Sequence, residues 1–401
     1  MSGPCLFVQP RRIRRGAALT LIFVSVLATG AAVGSWDAEA ENGHGPAADR
    51  IPAQAVVGSV ESDEVKAAAA AAQQDGKSGS QAAREVVSRS GDRWGAVYSA
   101  REYEGFRRNL DGVYVGTGIS ARLGREGRIE VDRVQPGSPA REAGIRAGDR
   151  LLTIDGVRVT GRPVTDVVAR LRGRADARAV GTSVTLGLRR DGHSRQETLH
   201  RAKLATEPVT VDRIGGPDAG AVRIKVDSFT RGSGERVRRA VRQVPAGEGI
   251  LLDLRGNSGG LVTEAVTAAS SFLDGGLVAT YDVRGEQRVL DAQPGGDIDS
   301  PLVVLVDGGT MSAAELLTGA LQDRGRAVVV GSRTFGKGSV QMPSELPDGS
   351  VAELTVGHYR TPAGRNVDGE GISPDLAVKG DDGPGAEARA RTVLSGLGGG
   401  S

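Results

Sequence analysis

Short apolar runs that alternate with stretches of helical spacing dominate the second half of the chain. Residues 250–254 form an apolar run of strand length, a Gly-rich turn follows, and 261–273 has helical periodicity. The same order recurs at 302–306 and 312–322, and a third apolar run spans 327–330. Strands that alternate with helices in this way predict a layered α/β core.

The middle of the chain has a different pattern, made of short strands and tight turns. Residues 129–134 alternate apolar and polar side chains, 149–156 run from a strand into an Asp-Gly turn, and 183–189 have the composition of a last strand. Short helices are expected at 140–144 and 165–171. These elements predict a β-rich unit with two helices.

The N-terminus has the pattern of an export segment. Four arginines at positions 11, 12, 14 and 15 precede an apolar stretch from 17 to 33, after which the chain turns polar. A basic segment followed by an apolar one is typical of a signal peptide, and ~17 apolar residues also approach the length of a membrane anchor. A signal peptide and an anchor both stay open for residues 1–36. Either one places the rest of the chain outside the cytoplasm.

Three further segments are distinguished by composition. Residues 37–81 are rich in Ala, Gly, Ser and Gln and are predicted to form a flexible linker with one weak helix at 65–74. Most of the few aromatic residues lie in 82–110, an amphipathic stretch that we expect to form helices packing on the core. The Gly-rich tail at 380–401 is predicted to be disordered.

Charge and cysteine content exclude several classes of function. The chain has 401 residues and a formal net charge of +2, which argues against nucleic acid as a partner because phosphate backbones require a basic face. Cys5 is the only cysteine and precedes the apolar stretch. The exported part therefore has no thiol nucleophile and no thiolate ligand. No His or acidic residues have metal-ligand spacing, so we predict neither a metal nor a cofactor.

Lys337 lies in a Gly-rich segment, GSRTFGKGS (331–339), that nearly matches the phosphate loop of nucleotide hydrolases. The match fails because a hydroxyl should follow the lysine directly to bind magnesium, whereas Gly338 stands there and Ser339 comes one position late. The loop should also open into a helix. Residues 341–343 instead have the pattern of a strand, so the lysine needs another partner.

Ser312 is the best candidate for that partner, since it follows a Gly-Gly turn after a buried strand and begins a helix. Ser312 and Glu315 also fit a capping box, and from these residues alone a helix cap is the simpler interpretation. The two roles are compatible, because free amides at a helix N-terminus suit an oxyanion. A lysine can deprotonate a serine only if burial lowers the lysine pKa toward neutrality.

The histidines offer no alternative catalytic triad. They are His44 in the linker, His193 and His200 near the end of the β-rich unit, and His358 in a strand-like segment. For His358 we expect a structural role, in the core or at the surface.

Longer segments carry a family resemblance. Residues 253–266 (DLRGNSGGLVTEAV), 307–341 and 346–375 resemble the carboxyl-terminal processing peptidases, also called tail-specific proteases. Residues 138–156 (SPAREAGIRAGDRLLTIDG) resemble a PDZ domain. The likeness extends over about 84–378 in the domain order of the family.

The resemblance implies a layered α/β protease core, crotonase-like or ClpP-like, at 204–379. A PDZ domain at 111–203 and an N-terminal helical segment at 82–110 would precede it. Carried over by position, Ser312 is the nucleophile and Lys337 the general base. The other residues carried over are Gln341, which helps to orient the lysine; Ala313 and one of Gly259 and Gly260, whose amides would form the oxyanion hole; and Glu315, Thr334 and Asp323, which we expect to support the structure.

PDZ domains bind extended peptides by strand addition and capture the terminal carboxylate with backbone amides. By position, that loop is Gly116-Thr117-Gly118-Ile119, although the glycines could serve a tight turn only. Two features depart from the family pattern. The segment 174–180 is longer, and Ser258 replaces a residue that is often Pro or Gly.

The resemblance implies an exported serine endopeptidase that recognises apolar C-terminal tails and cleaves unfolded or flexible proteins near the C-terminus, through an acyl-enzyme. It implies no oligomeric state and no contact with a membrane beyond the N-terminal segment. The alternative is a peptide-binding PDZ scaffold with an inactive or gated protease core. Loss of Ser312, Lys337 or the Gly-Gly turn would have favoured the scaffold, and none is lost.

Overall fold

The computed structural model describes residues 62–124, 127–162, 164–173, 180–215, 220–283, 286–378 and 383–398. The predicted signal or anchor at 1–36 lies outside these residues, as does most of the predicted linker. Within the described ranges, no helix is long and apolar enough to cross a membrane.

An N-terminal segment of helices and one short strand precedes the β-rich unit. Its elements are α1 (Ser62–Gln74), α2 (Gly79–Arg89), β1 (Ala96–Tyr98) and α3 (Ala100–Leu110). Helices were expected over 82–110. The strand β1 is an addition to that expectation.

The flexible linker predicted at 37–81 is wrong from residue 62 onward, whereas the one helix predicted within it, at 65–74, is confirmed by α1. Val65 and Ala69 of α1 pack with Ala83 and Val87 of α2 in a buried cluster that also contains Leu354. The Ala-rich composition that suggested a flexible linker also gives a high intrinsic helix propensity. The small alanines then let the two helices approach each other closely.

The β-rich unit follows. Its elements are β2 (Val113–Gly116), β3 (Ile119–Leu123), β4 (Ile129–Val134), α4 (Pro139–Glu142), β5 (Arg150–Ile154), β6 (Val157–Arg158), α5 (Val164–Arg172), β7 (Ser183–Arg190), β8 (His193–His200) and β9 (Ala202–Ala205). The strands β3-β4-β5-β7-β8 form one sheet in that order. It encloses a core of its own that includes Ile129, Leu151 and Leu186. Antiparallel pairing of β2 with β9 brings the two ends of the unit together.

The remaining elements build the α/β core. They are β10 (Val209–Ile214), β11 (Ala221–Val226), α6 (Ser233–Arg242), β12 (Gly249–Asp253), α7 (Val262–Ala269), β13 (Leu277–Val283), β14 (Glu286–Asp291), β15 (Leu302–Val306), α8 (Ala313–Asp323), β16 (Val328–Gly331), β17 (Ser339–Glu345), β18 (Val351–Arg360), β19 (Leu376–Ala377) and α9 (Gly383–Gly398).

A six-stranded sheet lies at the centre of the described core, in the order β10-β11-β12-β15-β16-β19. All neighbours from β11 to β19 are parallel. Every residue of β12 and β15 is buried, because α6, α7 and α8 cover one face and α9 covers the other. Burial on both faces is typical of parallel sheets. The predicted layered α/β core is confirmed.

The tail at 380–401 was predicted to be disordered, and this is wrong for residues 383–398. They form α9, in which Ala386, Ala390 and Leu394 are buried against the central sheet. The four-residue spacing places these side chains on one helix face. The glycines concealed this stripe in the sequence.

A second sheet has the order β1-β18-β13-β14, with β17 also paired to β18. In β17 and β18, Gln341 lies opposite Thr355, and in β1 and β18, Ala96 lies opposite Glu353. Because β1 precedes the β-rich unit and β18 follows it, residues from both sides of that unit build this sheet.

Candidate active site

The predicted site residues follow three neighbouring parallel strands. The turn with Gly259 and Gly260 comes after β12, Ser312 after β15, and the loop with Lys337 after β16. The carboxyl ends of parallel strands meet at one edge of a sheet, where α/β proteins generally bind their ligands. The fold thus brings together three groups of residues that are distant in sequence.

Ser312 occupies a strained turn between β15 and α8. Its φ and ψ angles are +55° and −117°, a conformation that is unusual for a residue with a side chain. The Tyr359 hydroxyl donates to the Ser312 carbonyl oxygen at 3.1 Å. On the other side, the Ser312 amide donates to Glu315 Oε2 at 2.9 Å. These contacts hold the serine backbone in place, as in the strand-to-helix turns that present catalytic serines.

Glu315 joins the serine turn to the lysine loop. This fully buried carboxylate accepts hydrogen bonds from Thr334 Oγ1 at 2.5 Å and from the Gly336 amide at 2.7 Å. Its Oε2 atom accepts from the Lys337 amide at 2.8 Å, in addition to the Ser312 amide. Burial raises the pKa of Glu315, and the four donors oppose that rise by favouring the charged form.

The Lys337 side chain is fully buried. Its Nζ atom makes no hydrogen bond with the described residues and lies 5.0 Å from the centroid of the Trp94 ring. Burial lowers the pKa of Lys337 to about 8, against the opposing effect of nearby carboxylates. A substantial fraction of the amine is therefore neutral in mildly alkaline solution, which a general base requires.

Glu353 is a second buried titratable group near the lysine. Its side chain is fully buried. Burial raises the pKa of Glu353 to about 7, and the neighbouring Tyr103 hydroxyl and then the charge of Lys337 oppose that rise. Sequence reasoning missed this carboxylate, since it lies in a strand with no motif around it.

Gln341 lies in a hydrogen-bonded chain that reaches the N-terminal segment. Its Nε2 atom donates to Ser339 Oγ at 2.8 Å and to Thr355 Oγ1 at 3.3 Å. The Thr355 hydroxyl in turn donates to Asp92 Oδ1 at 2.7 Å. That Gln341 orients Lys337 stays a prediction. Its amide is fixed by contacts on β17 and β18.

Two of the three backbone amides predicted for the oxyanion hole have no hydrogen-bond acceptor among the described residues. The Gly259 amide donates to Asn257 Oδ1 at 2.8 Å, whereas the amides of Gly260 and Ala313 make no hydrogen bond within the described residues. A Cβ atom at Gly260 would lie only 2.2 Å from the Phe229 carbonyl oxygen. The geometry therefore favours Gly260 of the predicted glycine pair.

Asn257 organises the glycine turn, and sequence reasoning missed it. The side-chain Nδ2 atom of Asn257 donates to the Val226 carbonyl oxygen at 2.8 Å. The backbone carbonyl oxygen of Asn257 accepts a hydrogen bond from the Met311 amide, also at 2.8 Å. These contacts tie the glycine turn to the segment just before Ser312. An asparagine in a Gly-rich turn was a signal for such a role.

Tyr359 was also missed, although His358 beside it was considered. His358 is partly exposed, with Nε2 3.6 Å from Asp368 Oδ2, and no hydrogen bond joins it to Ser312. The alternation along β18 places Tyr359 inside and His358 toward the surface. In the described part of the chain, no cluster of His, Cys, Asp and Glu could hold a metal ion.

The predicted peptide-binding loop lies in the β-rich unit. Residues 116–119 line a cavity of about 390 Å³ together with Val168 and Leu171 of α5. Thr117 is 2% exposed, and its Oγ1 atom has no partner among the described residues. Gly118 has a φ of +83°, which suits a tight turn as well. Peptide binding by this loop stays a prediction.

Comparison with known proteins identifies the family. The sequence profile of peptidase family S41 matches residues 220–378, and that of the PDZ domain matches residues 130–190. A carboxyl-terminal-processing protease of Picosynechococcus sp. is 33% identical over 306 residues, which cover 74% of this chain and 72% of that protein. The chain belongs to peptidase family S41. The predicted family and its PDZ domain are confirmed.

Two further proteins to which this S41 family member is similar are named as processing proteases. The chloroplastic carboxyl-terminal-processing peptidase 3 of Arabidopsis thaliana is 34% identical over 308 residues, or 73% of this chain. The chain spans only 58% of that relative's length. The solved structure of a photosystem II D1 C-terminal processing protease is 28% identical, with a TM-score of 0.51. That match covers 84% of this chain and 98% of the solved one.

Proposed function

We propose that this chain is an exported serine endopeptidase in which Ser312 is the nucleophile and Lys337 the general base. One observation carries the proposal. A single carboxylate oxygen, Oε2 of Glu315, accepts the backbone amides of both residues, at 2.9 Å and 2.8 Å. The nucleophile and the base are thereby fixed to one buried group, an arrangement that a helix cap alone does not require.

Acylation proceeds in two proton transfers. The neutral Lys337 amine takes the Ser312 hydroxyl proton as Oγ bonds to the scissile carbonyl carbon. The negative charge on the carbonyl oxygen is stabilised by the amides of Gly260 and Ala313. When the tetrahedral intermediate collapses, the carbon–nitrogen bond breaks and Lys337 returns its proton to the leaving amine.

Deacylation repeats these steps with water. Lys337 accepts a proton from the water that attacks the acyl carbon, and then gives it to Ser312 Oγ as the ester bond breaks. Gln341 helps to keep the lysine oriented during both halves of the reaction. The cycle proceeds without a metal ion or a nucleotide, so a chelator leaves it unaffected.

The substrates are flexible or unfolded proteins with apolar C-terminal tails. The apolar side chains of Val168 and Leu171 line part of the cavity beside residues 116–119. They would contact an apolar C-terminal residue of the substrate. Backbone amides of the loop would bind the terminal carboxylate. Binding at 111–203 then feeds the preceding segment of substrate to the core at 204–379.

Export follows from the basic and apolar pattern of residues 1–36. A fusion of residues 1–61 to alkaline phosphatase, which is active only outside the cytoplasm, tests it. An active fusion supports export. An inactive fusion that is expressed at the same level contradicts it.

The activity is tested with the full chain and an unfolded protein that ends in an apolar tail, with EDTA present throughout. We expect the parent to cleave and both Ser312→Ala and Lys337→Ala to lose at least ~100-fold in rate. A matched substrate with a charged tail should be cleaved more slowly. Undiminished cleavage by Ser312→Ala would exclude this nucleophile. A parent that binds tail peptides without cleaving supports the scaffold alternative instead.

A further inference from the structure

Trp94 covers the lysine amine from a segment that lies before the PDZ domain. Its ring centroid is 5.0 Å from Lys337 Nζ, in a site where the amine has no exposed surface and no hydrogen bond within the described residues. The Trp94 ring also packs against Phe335, with centroids 5.8 Å apart. An indole at this position takes a place that water would otherwise occupy.

Trp94 is held in this position by Asp92. The Asp92 Oδ1 atom accepts hydrogen bonds from the amides of Trp94 and Gly95, at 3.0 Å and 2.9 Å. Its two oxygens also accept from Thr355, through the side chain at 2.7 Å and through the amide at 2.9 Å. Since Thr355 accepts from Gln341, one network fixes both the indole and the predicted orienting residue.

Two opposing effects act on the amine. The ring face attracts a cation, which favours the ammonium form, and so do the surrounding carboxylates. Exclusion of water favours the neutral form. Burial lowers the pKa of Lys337 against the charges of the surrounding carboxylates, so exclusion of water outweighs those charges. The charged and titratable groups near the amine are Glu353 on β18, Asp92 before β1, Asp368 after β18 and Glu315 on α8, with Arg93 over the same indole.

We infer that Trp94 is a positioning residue for the proposed base, closing Lys337 off from water so that the amine can accept a proton. The inference rests on the proposed function only for its effect on catalysis. The closure itself concerns the side chains of Lys337 and Trp94, and it can be measured without any reaction.

The kinetic test compares Trp94→Ala with Trp94→Leu. Alanine admits water to the amine, so the acidic limb of the pH profile of kcat/KM should move up by about one pH unit. The rate at pH 7 then falls about ten-fold and recovers at higher pH. Leucine excludes water but has no ring face to attract the ammonium form. The acidic limb of the kcat/KM profile should therefore keep its pH or move to lower pH. Arg93→Ala, which removes the exposed cation beside the same indole, should leave the limb in place.

The direct test uses ε-carbon NMR of labelled lysines in a Ser312→Ala background, with the Lys337 signal assigned by its loss in Lys337→Ala. We expect the Lys337 pKa to rise in Trp94→Ala and not in Trp94→Leu. Circular dichroism and thermal unfolding establish that each variant is folded. If Trp94→Ala does not fold, an upward shift of the Lys337 pKa in Trp94→Leu overturns the inference.

The outcomes separate the two proposals. An unchanged Lys337 pKa in folded Trp94→Ala shows that the indole does not exclude water, and the inference is wrong. A raised Lys337 pKa together with a parent pH profile that does not follow this titration supports the closure and contradicts the role of Lys337 as base. A rate lost equally at all pH values, with an unmoved pKa, assigns Trp94 a purely structural role.

Discussion

Lys337 is a residue whose amine has lost its water and gained no hydrogen bond from the described residues. A pKa lowered from 10.5 to about 8 corresponds to a cost of roughly 3 kcal/mol to the folded state when the amine is protonated. The role proposed for Lys337 accounts for this cost, since a general base must be neutral to accept a proton. Stability and activity are therefore opposed at this residue.

Lys337→Met should stabilise the protein. It removes the buried amine and keeps the volume of the side chain, so we expect the free energy of unfolding to rise by about 3 kcal/mol at pH 7. The unfolded chain binds more protons than the folded one between pH 8 and 10.5, so the parent gains stability as pH rises through that range. The difference in free energy of unfolding between Lys337→Met and the parent should therefore disappear near pH 10.5.

Urea unfolding at pH 7 and at pH 10 measures the effect, with inactive Ser312→Ala as the reference protein. A Lys337→Met protein that is less stable than the reference at pH 7 would show that the amine has a favourable partner.

Gly260 is restricted by its neighbour. A Cβ atom there would lie 2.2 Å from the Phe229 carbonyl oxygen, at a φ of +144°. Gly260→Ala must shift the turn and displace the proposed oxyanion amide, so kcat should fall at least ~100-fold. Steady-state kinetics measure the loss. Gly396→Ala, where a Cβ atom meets nothing within 4 Å, is the control and should keep normal kinetics.

Helix α8 depends on contacts that come from another element. The Glu315 carboxylate in its first turn binds amides of the lysine loop, so the helix start and the loop form one unit. The sequence indicated a capping box, which is a local pattern. It could not show that the same carboxylate serves the loop, because that contact depends on how β15 and β16 align.

Glu315→Gln should uncouple these elements. Glutamine replaces one carboxylate oxygen with an NH2 group, which cannot accept the hydrogen bonds that this oxygen accepts now. The donors left without an acceptor should reduce the free energy of unfolding by about 2–4 kcal/mol. Denaturant unfolding in the Ser312→Ala background measures this reduction, and cleavage by the single variant should fall with it. Glu235→Gln, on the exposed face of α6, is the matched control. Equal stability of the two variants would contradict the coupling.

Helices α1 and α9 show the limit of composition as a guide. Both are rich in small residues, and the sequence suggested a linker with one weak helix at 65–74 and a disordered tail. The buried face of α9 consists of Ala386, Ala390 and Leu394. Because two of these three side chains are alanines, the apolar face is only weakly visible in the sequence. The strands β12 and β15 were predictable because their apolar runs are continuous.

Truncation after residue 378 should uncover one face of the central sheet. Leu251, Val303 and Leu305 lose the cover of α9, and burial of the helix stripe alone contributes roughly 3 kcal/mol. We expect a lower Tm by calorimetry. Truncation after residue 398, which removes only the last three residues of the chain, is the control. An unchanged Tm after the larger truncation would show that α9 adds nothing to stability.

At the scale of the whole molecule, the PDZ domain lies within the sequence of the core. It has a separate buried cluster, and the pairing of β2 with β9 closes its ends. The strand β1 before it and β18 after it share one sheet. Sequence periodicity could place the core and the PDZ domain in order, but it carries no information about pairing between strands this far apart.

A fragment of residues 111–206 should therefore fold alone. We expect cooperative thermal unfolding of this fragment and binding of apolar-tailed peptides with an affinity within about ten-fold of the full chain. Calorimetry and titration with a fluorescent peptide measure both. A fragment without a cooperative transition would show that the PDZ domain needs the core to fold.

The bonds between Asp92 and Thr355 join residues 263 positions apart, and this separation sets an order in time. A ribosome makes Asp92 early, and its partner emerges only after the PDZ domain and nearly all of the core. Contacts between such distant positions form late and slow the completion of folding. A chain in which these two segments have not yet met therefore lacks the contacts that hold Trp94 over the Lys337 amine. The proposed base is thus enclosed only when the last strands of the core have folded.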